Sequence, residues 1–326
     1  MPSTHGDKME VFNTLNDIPQ AFKGAALAIC NFDALHLGHQ KIIKTCNSIA
    51  KEHGIKSGLI TFHPHPLEIL NKGNPYQYIN SHPQQLRLLE GLGLDFVYVI
   101  KFDSIFAETP PEEFIENFLG NSFAPQHIVT GSNFNFGKER RGNAQLLKKY
   151  PNLFAYHAVE LVKFKNLIIS TTIVKNHLQA GRIMAANCML GRTLSYEGTV
   201  IKGYGVATRV LETPTANIDV DFTNKFLPLK GVYLAKTAVD EVCCYGIANL
   251  GVKPTVNSLN TPSLELHIFD FDRDIYNLQL NVGLLGLIRP ERSFKDTANL
   301  KTQILNDVRL AKYALKSLAH YHLCVE

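Results

Sequence analysis

Residues 30–39 read Cys-Asn-Phe-Asp-Ala-Leu-His-Leu-Gly-His, and this stretch decides the fold of the first half of the chain. The run before it, residues 25–29, is short and apolar like a buried parallel strand, whereas residues 40–50 have the apolar spacing of a helix. The two histidines therefore lie where a strand turns into a helix. Such a junction presents backbone N–H groups and the positive end of the helix dipole, and the glycine lets a polyphosphate approach. The spacing predicts a phosphate site, with surface or core histidines as the plainer interpretation.

Strand-like runs alternate with helical stretches from residue 25 to about residue 180. Residues 57–62, 95–100 and 127–130 are the strand-like runs, and residues 111–119 are an example of a helical stretch. This alternation indicates βαβ units around a parallel sheet. Ligands of such sheets bind at the carboxyl ends of the strands. We therefore expect one crevice to collect the residues that follow the runs, namely His36, Gly38, His39, Pro64, His65 and Gly131.

The second half of the chain has a different pattern. After residue 190 the strands are shorter and alternate in polarity, as at residues 264–269, which predicts an antiparallel barrel. Residues 297–313 have the spacing of an amphipathic helix, which we expect to pack against that barrel through Leu300, Ile304, Val308 and Ala311. We place the boundary within a short connecting helix near residues 181–188, which gives domains 1–184 and 185–326.

Composition restricts the class of protein. The chain has 326 residues, which suggests two domains, and 45% hydrophobic with 19% charged residues is typical of a globular core. The net charge of +4 is dispersed, so nucleic-acid binding has little support. No apolar run is long enough for a membrane span, and the first residues lack the apolar core of a signal peptide. The few cysteines are expected to be reduced thiols, and the whole predicts a cytoplasmic enzyme.

Four spaced motifs of the first half resemble those of the bacterial bifunctional riboflavin kinase and FAD synthetase (FMN adenylyltransferase) family. Residues 31–39 resemble its nucleotidyltransferase motif, and residues 62–66, Phe-His-Pro-His-Pro, resemble its Phe-x-Pro-His-Pro. Residues 131–142 resemble its Gly-x-Asp-Phe-x-Phe-Gly-x-x-Arg-x-Gly, and residues 169–175 resemble its Ile-Ser-Ser-Thr-x-Ile-Arg. Motifs of the riboflavin kinase module follow in order at residues 190–192, 198–203, 214–217, 231–233, 249–255, 265–267 and 289–291.

The resemblance implies a Rossmann-like nucleotidyltransferase domain that joins FMN to the AMP moiety of ATP and releases pyrophosphate. No protein nucleophile is required, and His36 and His39 are the implied catalytic residues because they would contact the ATP phosphates as charge accumulates. The implied nucleotide contacts are Asn31, Phe32, Asp33, Gly38, Ser170, Thr171 and Lys175. The implied flavin contacts are Phe62, Pro64, His65, Asn133, Phe136 and Arg140.

For the second half the resemblance implies a riboflavin kinase-like barrel that phosphorylates the ribityl 5′-hydroxyl of riboflavin with ATP. Glu265 is the implied base that accepts the hydroxyl proton. Thr215 and Asn217 are implied to bind Mg²⁺ and ATP phosphates, since Mg²⁺ prefers oxygen ligands. Gly203 is an implied nucleotide contact, and Arg289 and Glu291 are implied flavin contacts. The predicted partners are the small molecules riboflavin, FMN and ATP, without nucleic acid or membrane, and the oligomeric state is left open.

Several residues depart from the family's pattern. Cys30 and Ala34 stand where the family has glycines, and Asn133 replaces an aspartate, so added side chains crowd a backbone meant to approach nucleotide. Residues 208–217 lose two glycines and bring Glu212 near the expected phosphates. The alternatives are therefore a paralogue with adenylyltransferase activity only, or a non-catalytic flavin- or nucleotide-binding protein. Cys30 is predicted to be unreactive, because no neighbouring motif supplies a base.

Overall fold

The chain divides into two compact units, Met1–Thr171 and Thr172–Glu326. The computed structural model describes residues 8–71, 75–202, 215–253 and 261–320. Gly203 and Glu212 lie outside the described residues, as does most of the predicted ATP loop. The domain limits 1–184 and 185–326 stay a prediction.

The first unit is built on a fully parallel six-stranded sheet with the order β1-β4-β3-β2-β5-β8. Its short central strands are buried along their whole length because helices and loops cover both faces. The predicted parallel sheet is confirmed. The strands of this unit, including two small antiparallel ribbons, are β1 Glu10–Phe12, β2 Ala26–Ile29, β3 Ser57–His63, β4 Phe96–Lys101, β5 His127–Gly131, β6 Asn135–Phe136, β7 Gly142–Asn143, β8 Ala155–Val159, β9 Lys163–Phe164 and β10 Leu167–Ile168.

The helices of the first half connect these strands. The stretch predicted as one helix from residue 111 begins as α-helix and continues as a π-helix, Phe114–Phe123, which ends at Ala124 in the left-handed conformation. One face of the sheet carries a phenylalanine-rich core, and α1 packs on the other. The α-helices are α1 Leu37–His53, α2 Pro66–Leu70, α3 His82–Glu90, α4 Ser104–Ala107, α5 Pro111–Glu113, α6 Ala144–Leu147, α7 Thr171–Gln179 and α8 Ile183–Leu190.

The second unit contains a closed antiparallel barrel with the strand order β11-β12-β15-β14-β13-β16, followed by a long helix, α9 (Thr297–His320). The helix packs on the outside of the barrel through Ile304, Val308 and Ala311, which confirms the predicted amphipathic helix and barrel. Among the described residues, no helix is both long and apolar enough to cross a membrane. The barrel strands are β11 Leu194–Ile201, β12 Ala216–Asp219, β13 Gly231–Val239, β14 Val242–Lys253, β15 Thr261–Ile268 and β16 Gln279–Pro290.

Candidate active sites

The start of α1 holds both predicted catalytic histidines. His36 is the N-cap of the helix, and its Nδ1 accepts a hydrogen bond of 3.3 Å from the backbone N–H of His39. Because Nδ1 accepts, the proton of a neutral His36 ring lies on Nε2. Both histidines are nearly buried. The helix start therefore brings the two imidazoles together at the positive end of its dipole.

The two imidazoles are also stacked on each other. Their ring centroids lie 3.7 Å apart at an interplanar angle of 19°, and the rings of His39 and Phe32 are in an edge-to-face arrangement with centroids 5.1 Å apart. A Cβ atom on Gly38 would lie 3.1 Å from the His36 ring, so a side chain there would disturb the stack. Gly38 thus contributes to the site by leaving room for His36, and Phe32 by supporting His39.

The turn between β2 and α1 places Asn31 and Asp33 in different surroundings. The Oδ1 atom of Asn31 is buried and has no hydrogen-bond partner among the described residues. The Asp33 carboxylate is buried and accepts hydrogen bonds from the Tyr76 hydroxyl at 2.9 Å and from the backbone N–H groups of Ile79 and Asn80 at 2.9 and 3.4 Å. Asp33 therefore fixes the segment that precedes α3. Asn31 keeps an acceptor suited to a ligand donor.

His65 lies at the carboxyl end of β3 and caps α2. Its Nδ1 accepts from the backbone N–H of Leu67 at 3.2 Å, and its ring stacks on Tyr76 with centroids 3.9 Å apart and planes 2° from parallel. The neighbouring Pro64 follows a cis peptide bond. The sequence motif 62–66 is thus a strand end, as the strand-like run 57–62 predicts, followed by a helix cap at His65.

A cleft of about 540 Å³ collects residues of three motifs in the first unit. Phenylalanine side chains form much of its lining, together with polar residues such as Asn31, His65 and Arg140. Of the six residues expected to share one crevice, only His65 lines this cleft, and that expectation is corrected for His36, Gly38, His39, Pro64 and Gly131; Asn133 does not line it either. The predicted ligand contacts that do line it are Asn31, Phe62, His65, Phe136 and Arg140.

The loop of the third motif has an unusual backbone next to this cleft. Gly137, Glu139 and Arg140 all have positive φ angles, of 70°, 54° and 59°. A Cβ atom at Gly137 would lie 2.8 Å from Pro111, so only glycine fits there. Two consecutive left-handed residues that are not glycine are costly, and such strain is common at ligand sites. Asn133, in contrast, is exposed.

The fourth motif lies at the start of α7. Ser170 directly precedes the helix and Thr171 is its first residue. The Lys175 ammonium lies 5.3 Å from the ring centroid of Phe226, within the second unit.

In the second unit, Glu265 lies in a row of residues that crosses the outer face of the barrel. The strand register pairs Asn217 with Glu265, Glu265 with Asn249, Asn249 with Val232, and Val232 with Arg289. Residues that are directly opposite in neighbouring strands point to the same side of a sheet. Five of the barrel's strands therefore contribute one side chain each to this row, which contains four polar side chains and the apolar Val232.

A cleft of about 310 Å³ lies over this row, and four of the predicted residues line it: Thr215, Glu265, Arg289 and Glu291. A second cleft, at Val200, Ala216 and Tyr276, also has Thr215 in its wall. Thr215 is thus common to two neighbouring clefts. Asn249, which the sequence motif 249–255 contains but which we did not assign to the site, lines the cleft beside Glu265.

The guanidinium of Arg289 is held by a residue that the sequence did not reveal. Its Nε donates to both carboxylate oxygens of Asp307 at 3.0 and 2.9 Å, and its Nη2 lies 2.9 Å from Oδ2. Asp307 is 1% exposed and also accepts from Gln303. In the sequence, the one feature that could have indicated this partner is that Asp307 is an acidic residue on the apolar face of α9. Arg289 therefore anchors the terminal helix beside the cleft.

Glu291 is close to the barrel backbone on the same side. A Cβ atom at Gly251 would lie 2.6 Å from its Oε1 atom, so the carboxylate occupies the space that a side chain would need. The glycine therefore allows Glu291 to approach the strand next to Glu265. This close approach explains why residue 251 is glycine.

Comparisons with known proteins agree with these two units. An FAD synthetase family model matches residues 18–173, and a riboflavin kinase model matches residues 190–315. A bifunctional riboflavin kinase/FMN adenylyltransferase of Buchnera aphidicola from Schizaphis graminum is 33% identical over 93% of this chain and 98% of its own length. The chain belongs to this family. The relative of the same name from Bacillus subtilis is also 33% identical, over 87% of this chain and 90% of its own.

A solved structure supports the fold of this bifunctional family member. A protein of Streptococcus pneumoniae described as a macrolide-efflux protein superposes with a TM-score of 0.82, covering 94% of this chain and 99% of its own, at 24% identity. At that level of identity the likeness concerns the fold alone.

Cys30 of this chain lies beside the first motif. Its thiol donates a hydrogen bond to the backbone carbonyl of Asn31, with 3.7 Å between the sulfur and the oxygen. Burial raises the pKa of the Cys30 thiol to about 12, and the hydrogen bond offsets only part of that shift. The reactive thiolate is therefore scarce at neutral pH. That Cys30 resists alkylation stays a prediction, now with a physical reason.

Proposed function

We propose that this protein phosphorylates riboflavin to FMN in its second unit and joins FMN to AMP from ATP in its first unit, which yields FAD and pyrophosphate. The observation that carries the proposal is that each unit gathers residues of separate motifs into one cleft. Each cleft combines apolar walls with a few polar groups, as flavin and nucleotide sites do.

In the kinase step, Glu265 accepts the proton of the ribityl 5′-hydroxyl while the oxygen forms a bond to the γ-phosphorus of ATP and ADP leaves. A base in the acceptor cleft is required because a neutral hydroxyl is a weak nucleophile. Asn249 and Asn217 flank Glu265 in the register row, on the neighbouring strands. The positive charge of Arg289 is paired with Asp307, so Arg289 lines the cleft as part of an ion pair and not as a free cation.

Magnesium fits the oxygen donors near Glu265. Among the described residues no group of three or more His, Cys, Asp or Glu is arranged to hold a metal. Mg²⁺, however, keeps several waters and needs only one or two protein oxygens. Thr215 lines the cleft and Asn217 is next to Glu265 in the row, so these two would hold it. When bound, the ion neutralises charge on the ATP phosphates.

In the adenylyl step, an oxygen of the FMN phosphate forms a bond to the α-phosphorus of ATP and pyrophosphate leaves. That oxygen is already ionised, so no base is needed. His36 and His39 stabilise charge on the phosphates from the start of α1. That Ser170, Thr171 and Lys175 bind the triphosphate stays a prediction from the sequence. The aromatic residues Phe62 and Phe136 of the cleft receive the flavin ring, and Arg140 lines the same cleft. A cytoplasmic location remains a prediction from the sequence.

The test is chromatographic analysis of products made by the purified protein with ATP and magnesium. Riboflavin and FMN are supplied in separate reactions, because FMN isolates adenylyl transfer, whereas any product from riboflavin requires the phosphorylation step. We expect FMN and FAD from riboflavin, and FAD with pyrophosphate from FMN. FAD from FMN without any product from riboflavin would leave only the adenylyltransferase, and no product from either would point to a flavin-binding protein.

A further inference from the structure

Tyr76 connects two of the motifs that form the first unit's cleft. It lies between α2 and α3, outside every motif that the sequence analysis singled out. Its hydroxyl donates to the buried Asp33 carboxylate at 2.9 Å, and its ring lies flat on His65 at 3.9 Å. One side chain therefore contacts the turn after β2 and the cap after β3 at the same time.

The contact with Asp33 is a strong one. Burial together with the Asp33 charge raises the pKa of the Tyr76 phenol well above its usual range, so the hydroxyl remains a donor. Hydrogen bonds to a buried carboxylate are among the stronger ones in proteins. Because Asp33 is two residues from Asn31, loss of this bond releases the turn that carries Asn31, a residue that lines the cleft and has a buried Oδ1 atom without a hydrogen-bond partner among the described residues.

The contact with His65 fixes the orientation of an imidazole. The Nδ1 atom of His65 accepts from Leu67, so the ring proton lies on Nε2. The His65 backbone N–H donates to the Tyr78 hydroxyl at 2.8 Å, and Tyr78 in turn donates to Glu68 at 2.6 Å. With Tyr76 parallel to the ring, His65 is held at the backbone, at Nδ1 and on one face.

We propose that Tyr76 is a positioning residue for FAD formation, which holds the Asn31 turn and the His65 ring in one fixed arrangement across the cleft. This inference rests on the proposed adenylyl transfer in the first unit. Asn31 is the member of the pair assigned to nucleotide, and His65 is the member assigned to flavin. The hydroxyl of Tyr76 therefore governs ATP binding, and its ring governs FMN binding.

Two variants separate the hydroxyl from the ring. Tyr76→Phe removes the bond to Asp33 and keeps an aromatic ring over His65, whereas Tyr76→Leu removes both contacts. We expect Tyr76→Phe to raise KM for ATP about tenfold and to change KM for FMN by less than about twofold. Tyr76→Leu is expected to raise both KM values and to lower kcat/KM for FAD formation by about a hundredfold.

Tyr156→Phe is the matched control, because it also removes one part-buried tyrosine hydroxyl bond in the first unit, to Thr130. Its KM values are expected to equal those of the wild type. Riboflavin phosphorylation, measured on the same samples, is expected to be unchanged in all three variants. Thermal unfolding followed by circular dichroism gives the folded fraction of each sample.

If Tyr76 contributed only to the stability of the fold, its variants would give different kinetic parameters from those expected above. A partly unfolded sample loses Vmax in proportion to its folded fraction and keeps both KM values. That pattern in Tyr76→Phe and Tyr76→Leu would overturn the inference, as would KM values equal to those of Tyr156→Phe. If the wild type forms no FAD from FMN, the proposed function fails together with the inference. Wild-type FAD formation with unaffected variants removes the inference alone.

Discussion

The two units hold their candidate catalytic groups by different means. In the first unit, the main chain places His36 and His39, because both belong to the start of one helix and are bonded through its backbone. In the second unit, strand register places Glu265, in a row that runs from Asn217 to Arg289. A helix start needs a few consecutive residues, whereas the row requires a complete sheet. The placement of the two histidines is therefore local in the sequence, whereas the placement of Glu265 depends on the whole barrel.

The difference also concerns chemistry. Adenylyl transfer starts from an ionised phosphate and needs charge stabilisation, for which a helix start and imidazoles suffice. Phosphorylation of a hydroxyl needs a base, for which one carboxylate must be held in place. Each prediction below changes one unit and uses the other half-reaction as an internal reference.

The largest effect is expected from Glu265→Gln. The amide cannot accept the hydroxyl proton, so kcat for riboflavin phosphorylation is expected to fall by about 10²–10⁴. FAD formation from FMN is expected to be unchanged. Both rates are measured by chromatography of the products. Glu197→Gln on β11 is the control and is expected to retain both activities, and a Glu265→Gln protein with normal kinase activity would rule out this residue as the base.

His39→Asn is expected to lower FAD formation by about a hundredfold, since it removes one stabilising donor and the stack with His36. Riboflavin phosphorylation is expected to continue at the wild-type rate. His53→Asn, at the other end of the same helix, is the matched control. Equal rates of FAD formation in the two variants would show that the start of α1 is not the phosphate site.

Asp307→Asn tests whether the barrel site depends on the terminal helix. Removing one partner of a buried ion pair lowers the free energy of unfolding by about 3 kcal/mol. The variant is therefore expected to lose kinase activity at a lower temperature than the wild type. Lys312→Met on the same helix breaks the exposed ion pair with Asp270, and the free energy of unfolding is expected to fall by less than about 1 kcal/mol. The measurement is residual phosphorylation after heating, with FAD formation followed in parallel. Equal losses in the two variants would contradict the anchoring by Arg289.

A smaller, pH-dependent effect is expected in the first unit. Burial, with the nearby His53 and His157, lowers the pKa of His127, whose Nδ1 lies 3.1 Å from Nε2 of His157. The unfolded chain then binds more protons than the folded chain below about pH 6.5. The free energy of unfolding therefore has its highest value above that pH, as far as His127 is concerned, and it decreases as the pH drops below it.

Amide hydrogen exchange of β5, measured between pH 7 and pH 5, reports this change in the first unit alone. His127→Asn is expected to flatten the pH dependence, and His177→Asn in the second unit is expected to leave it as in the wild type. A steep acid loss that persists in His127→Asn would assign the effect to other groups.

The sequence predicted much of this molecule because its signals were local. The parallel sheet followed from short apolar runs, and the position of His36 and His39 at a strand-to-helix junction followed from the pattern within residues 25–50. Long-range pairing was not accessible in this way. Nothing near Arg289 in the sequence shows that Asp307 holds it, and Asn249 joins Glu265 only through strand register. Tyr76 was also hidden, because a tyrosine in a loop carries no periodic signal.

The closure of the barrel has a consequence for synthesis. Strand β16 pairs with β11, which precedes it by about 80 residues, and with β13 on its other side. During translation the first unit has its whole sheet once β8 has left the ribosome, whereas the ring of the second unit waits for β16. Late, long-range pairing of this kind is slow. A nascent chain therefore holds a complete adenylyltransferase sheet well before it holds a kinase barrel.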